Sequence, residues 1–290
     1  DKAMNKYPNF IPRIKMMDKK AAIPLLRSTF LPIPTNLIRT IHPDFIKDHA
    51  RLFDDVVFDT YKHIANDGHL QRTNFEFGAP FRHGGQGFRS VEKTSPIAYF
   101  SSVLNAANVL RALDPGIIEI IKHFRDEPPP QPYTQHLEQV VGAGIPALLV
   151  EAWTVAQREI FAVSPSSFFP ASVSDLLHEF ATGSICIDKL QHVLTAEAEN
   201  AWNAADKVGK EIEEVARNNA NAIRGASSLF SASPTPAYHS MPSASYEFYL
   251  KSRTGTLHVP NLMCVCVEHT LSLPHIYSCK KLCGRFFRHD

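Results

Sequence analysis

Apolar residues that return every three or four positions dominate this 290-residue chain, and that spacing favours helices over any other regular element. Across residues 44–66, Phe45, Leu52, Phe53, Val56 and Ile64 fall on one apolar face. Ser95-Pro96 offers a capping hydroxyl and a proline suited to a first turn, and Ile97, Phe100, Leu104, Ala107 and Leu110 follow as a stripe. Pro146 opens a further helix with Leu149, Trp153, Ala156 and Ile160 on one side. The longest pattern runs from about 185 to 223 through Leu190, Leu194, Ala198, Ala201, Ala205, Val208, Ile212 and Val215. Strand-like pieces are short and few, at 247–250 and 263–267. The expected fold class is mainly α: a helical bundle, a helical linker region and a small C-terminal module.

Two stretches interrupt the helical pattern. Residues 126–133 (DEPPPQPY) are stiffened by proline. Residues 227–245 (SSLFSASPTPAYHSMPSAS) are rich in serine and proline and have no period. They divide the chain into 1–125, 134–226 and 246–290.

Charge and cysteine usage narrow the function classes. The net charge is only +1, so no global basic field marks a nucleic-acid binder. The distribution is uneven: seven basic residues face two acidic ones in 1–30, and six face two in 251–290. Two basic ends suit separate contacts with phosphates. No apolar run reaches the roughly 18–20 residues of a membrane span, and no signal peptide is visible. Cysteines are sparse and clustered, unlike a secreted disulfide scaffold, so an intracellular protein is expected.

Four of the five cysteines lie in the tail CVCVEHTLSLPHIYSCKKLCGRFFRHD. A C-x-C turn followed by H-x3-C supplies four soft ligands, Cys264, Cys266, His275 and Cys279, in the number a structural zinc needs. His269, Cys283 and His289 are further donors within reach of the same site, and reduced, unligated thiols are the plain alternative. HGGQGFRS carries Gly84, Gly85 and Gly87 between Arg82 and Arg89. A phosphate-cradling loop should follow a buried strand and end in lysine, whereas here Phe88 follows the glycines, so a tight turn is the better reading. The adjacent carboxylates Asp54 and Asp55 sit in helical surroundings and read as a solvated helix face. No G-x-S-x-G turn accompanies the fourteen histidines, which leaves no hydrolase motif.

Taken in order, PLLRSTFLPIPTNLIRTIHP, RLFDDVVFDTYKHI, FRHGGQGFRSVEKTSPIAYFSSVLNA, SASPTPAYHSMPSASYEFYLKSRTGTLHVP and CVC…H…SC…RHD resemble the region that follows the polymerase palm in non-LTR retrotransposon reverse transcriptases. The resemblance is piecewise but collinear and covers about two thirds of the chain. Gln86 departs from the small or apolar residues usual in that glycine loop, and Val267 stands where a glycine commonly follows C-x-C.

The resemblance implies a thumb-like bundle in 1–125, a helical linker in 134–226 and a zinc knuckle in 246–290, with the ligands narrowed to Cys264, Cys266, His275 and Cys279. It also implies that the polymerase aspartates precede this region and that a nuclease follows it. The expected protein is thus non-catalytic by itself, binds RNA or DNA and one structural Zn2+, and resides in the nucleus. Phosphate contacts are assigned to Arg82, Arg89, Lys280, Lys281, Arg285 and Arg288. The alternative is a repurposed scaffold subunit inside a ribonucleoprotein assembly.

Overall fold

The computed structural model describes residues 10–71, 75–113, 145–160, 170–182, 184, 189–222, 243–254 and 256. Among them the regular elements are helical and no strand occurs. In chain order these are α1 (Phe10–Lys15), α2 (Lys19–Leu25), α3 (Thr35–Thr40), α4 (Pro43–Ala65), α5 (Phe75–Gly78) and α6 (Val91–Leu113), followed by α7 (Ile145–Ile160), α8 (Val173–Thr182), α9 (Leu190–Lys207), α10 (Ile212–Ala222) and α11 (Ser243–Thr254). A π-type turn, Leu26–Phe30, extends α2, and a 3-10 turn, Phe81–His83, precedes the glycine loop. The helices fall into two compact units. One gathers the described residues of 1–31, 56–89 and 206–290, the other those of 32–55 and 90–205.

The second unit is built on α6 and α7. Ile97, Phe100, Leu104 and Ala107 of α6 are buried with Leu149, Trp153 and Ala156 of α7, as their spacing anticipates. Leu176, Leu177 and Phe180 of α8 and Leu190, Leu194 and Ala198 of α9 complete this core. Trp153 keeps its indole N–H satisfied by donating to the Pro170 carbonyl (3.0 Å). Ser172 caps α8: its hydroxyl accepts from the Asp175 amide (3.1 Å) and lies 2.6 Å from the Asp175 carboxylate.

The start of α6 corrects two expectations. The helix begins at Val91, one turn before Ser95-Pro96, and Pro96 lies inside it. Proline removes the amide that would bond the carbonyl four residues back, Glu92. The Ser95 hydroxyl takes over that carbonyl (3.1 Å), so the serine patches the ladder instead of capping it. The cap comes from Asp54, which is buried and not on a solvated face. Its carboxylate accepts from the Ser90 hydroxyl (2.6 Å) and from the Val91 and Glu92 amides (2.9 and 3.2 Å), an anion at a helix N-terminus. On the same helix, α4, Phe45 and Leu52 are 81% and 61% exposed, while Ala50, Phe53, Val57, Tyr61 and Ile64 are buried. The true stripe is therefore rotated from the expected one.

Two further expectations fail. The single helix expected over 185–223 is broken: α9 ends at Lys207, Gly209 adopts φ +82°, and α10 begins at Ile212. Lys210 spans the break, reaching Asp206 (2.6 Å) and Glu214 (3.0 Å). The candidate strand at 247–250 is helical, inside α11. Tyr246, Leu250 and Arg253 are all buried, a spacing of four and three that belongs to a helix.

Helix α11 is tied down along its length. Glu247 pairs with Lys19 of α2 and with Lys251 (2.8 Å), and accepts from the Asn66 side chain (3.1 Å). Buried Asp67 accepts from the His69 and Leu70 amides (3.2 and 3.1 Å), from the Thr254 hydroxyl (3.4 Å) and from the Thr256 hydroxyl. Burial pushes the Glu247 carboxyl up, but the hydrogen bonds and charges of Lys19 and Lys251 outweigh it and bring its pKa down to about 2. A folded pKa below the unfolded one gives stability that is fully present above about pH 4.5 and is lost as pH falls towards 2. After allowance for solvent screening this amounts to about 2 kcal/mol. Urea denaturation of wild type and Glu247→Gln across that range should show two stability curves that converge as the pH drops. Parallel curves would contradict the assignment.

Candidate functional site: the glycine loop and its arginine

The glycine loop lies in the first unit between the 3-10 turn and Arg89. Its amides are already used by the chain. Gly84 donates to the Phe81 carbonyl (3.0 Å), Gly85 to Pro80 (3.2 Å), Gly87 to Ala79 (2.9 Å) and Phe88 to Phe77 (3.3 Å). A phosphate cradle needs such amides pointing outwards and free. These four point back into the protein, so the glycines serve a close-packed turn. Gly84 sits at φ +82°, and a Cβ there would come within 2.4 Å of the Asn218 carbonyl oxygen of α10. Glycine is thus required by both conformation and space.

The loop is anchored on aromatic rings. Phe88 stacks on Phe77 with centroids 5.0 Å apart and planes at 2°, and Tyr61 tilts against both rings at 5.0 and 5.2 Å. Phe58 meets Phe77 edge-on at 5.2 Å. Gln86 is fully buried beside the Tyr61 hydroxyl, whose pKa burial pushes above its ordinary range. The polar departure from the resembled motif is therefore an internal residue and not an exposed one.

The loop carbonyls have a partner from the far end of the sequence. Arg253 of α11 is 1% exposed, and its Nη2 donates to the carbonyls of Gly84 (2.9 Å), Gly85 (3.1 Å) and Asn221 (3.3 Å). Asn221 of α10 returns the contact, donating its side-chain amide to the Arg253 carbonyl (3.2 Å). A guanidinium converging on several carbonyl oxygens keeps its charge solvated by dipoles in the interior. Periodicity hinted at this position, because Arg253 falls on the apolar stripe of α11 with Tyr246 and Leu250. A cation on a buried stripe must find acceptors, but the sequence does not say where.

Arg82 and Arg89 flank the loop and are both exposed. Arg27 stacks over the Phe81 ring at 4.6 Å and lies against Gly87, so another guanidinium packs on the same loop. Cys264, Cys266, His275, Cys279, Lys280, Lys281, Arg285 and Arg288 lie outside the described residues. Among the described residues no group of three or more His, Cys, Asp or Glu side chains is arranged to hold a metal, and no helix is long and apolar enough to cross a membrane. Comparison with family models, curated proteins and solved structures finds no match to this chain.

Proposed function

We propose that this chain is a nucleic-acid-binding segment of a retroelement reverse transcriptase, or is derived from one, with no catalytic role of its own. One observation carries most weight: Arg253 reaches the Gly84 and Gly85 carbonyls across 168–169 positions. HGGQGFRS and YEFYLKSRTG are two of the motifs on which the resemblance rests, and the arginine of one closes on the glycines of the other. Both motifs therefore pack together in the first unit. In this reading, basic side chains contact phosphates without reading sequence, with Arg82 and Arg89 on the loop and Lys280, Lys281, Arg285 and Arg288 on the tail. A thumb-like grip on a duplex, and a nuclear location, belong to the same proposal.

The zinc knuckle is a second part of it. Three thiolates and one imidazole, Cys264, Cys266, His275 and Cys279, form a donor set suited to tetrahedral Zn2+. Bound there, the metal would cross-link a segment too short to hold itself together by a core.

Fluorescence anisotropy with a labelled RNA–DNA hybrid, repeated over a range of salt, tests the reading. Affinity should fall linearly with log salt, and Arg82→Ala/Arg89→Ala should reduce the slope by about two phosphate contacts' worth, roughly 1.5–2. Purified protein should carry about one equivalent of zinc, lost in Cys264→Ser and in His275→Ala. Absence of salt-dependent binding, together with stable co-purification in one assembly, would instead favour the scaffold role.

A further inference from the structure

We propose that Arg253 is a positioning residue for nucleic-acid contact: it sets the glycine loop so that Arg82 and Arg89 present their guanidinium groups together. This rests on the reading that those two arginines meet phosphates.

The inference follows from how the loop is held. Its amides at 84, 85, 87 and 88 are consumed by short-range carbonyls, so these glycine-loop amides form no phosphate cradle. Contact then falls to the flanking side chains, and their placement depends on the path of the loop. That path is fixed from beneath. Two successive carbonyls, Gly84 and Gly85, converge on one buried nitrogen of Arg253, while the backbone of Ala79 packs directly beside Gly85. Long exposed side chains lose rotamer freedom on binding, and a settled backbone limits how much more ordering the complex requires. Arg253 is buried and touches no ligand in this scheme; it acts through the loop.

Arg253→Lys keeps the charge but leaves its nitrogen one bond short of the loop carbonyls. Circular dichroism establishes that the variant is folded, and the hybrid-duplex titration is then run on the 290-residue wild type, Arg253→Lys, Arg82→Ala/Arg89→Ala and the triple variant. Arg253→Lys should weaken binding about 5- to 10-fold and lower the salt slope towards that of the double variant. The triple variant should be no weaker than the double, because the residues act as one unit. A folded Arg253→Lys with wild-type affinity and slope, beside a weakened double variant, overturns the positioning role alone. Fully additive losses in the triple variant also overturn it. A double variant indistinguishable from wild type removes the phosphate reading, and the inference with it. If Arg253→Lys does not fold, Arg253→Met, which keeps the length of the stem but removes every donor to the loop carbonyls, replaces it in the same cycle.

Discussion

Gly85→Ala is expected to destabilise the first unit by more than about 3 kcal/mol. A Cβ at this position would sit 2.0 Å from the Ala79 carbonyl oxygen and 2.5 Å from the Ala79 carbonyl carbon and Cβ. The obstacle is backbone, which cannot swing aside as a flexible side chain can. Moving Ala79 would stretch the bond it accepts from the Gly87 amide (2.9 Å), and moving Gly85 would pull its carbonyl from Arg253 (3.1 Å). Either adjustment leaves a buried polar group without its partner. Gly68→Ala is the control, because nothing lies within 4 Å of a Cβ there. Urea denaturation followed by far-UV circular dichroism should separate the two clearly. Superimposable curves for Gly85→Ala and wild type would mean that the loop does not pack against Ala79 in this way.

Phe100→Ala should cost the second unit about 3–5 kcal/mol through lost burial and the cavity left behind. Phe100 is 1% exposed in the core that α6 shares with α7, α8 and α9. Phe100→Leu keeps most of the volume and should cost less than about 1.5 kcal/mol. The chain's two tryptophans, Trp153 and Trp202, both belong to this unit, and Trp153 is part of the same core. Their emission therefore reports the second unit directly, and its unfolding midpoint should move to markedly lower urea in Phe100→Ala. Phe45→Ala, by contrast, should stay within about 0.5 kcal/mol of wild type, because Phe45 is 81% exposed. A large loss at Phe45 would restore the apolar face that periodicity alone assigned to α4.

The contrast between Phe100 and Phe45 marks where periodicity is informative. In α6 and α7 the stripe has several apolar positions in strict register, and those described are buried as expected. In α4 the apolar residues are spread more widely around the helix, so more than one face fits the pattern. Only the neighbours decide which face is covered. The tail behaves similarly at 247–250: four residues are too few to distinguish a period of two from one of 3.6, and the burial of Tyr246, Leu250 and Arg253 settles it.

The amino-acid pattern by itself determined that the described chain is mainly helical, where its longest helices run, and which residues of α6 and α7 enter a core. These are local properties, set by spacing along one segment. It also marked HGGQGFRS as a turn, because three glycines with no preceding strand have few other uses. It could not assign the partners of the buried polar residues. Asp54 caps a helix 37 positions away, Asp67 binds a threonine 187 positions away, and Arg253 closes on glycines 168–169 positions away. Asp54 and Asp67 look like ordinary surface charges in sequence, and the stripe that carries Arg253 hints at its burial without naming its acceptors. Tertiary structure decided these roles because a buried charge needs oxygen or nitrogen partners within about 3 Å, and folding alone brings such distant groups together.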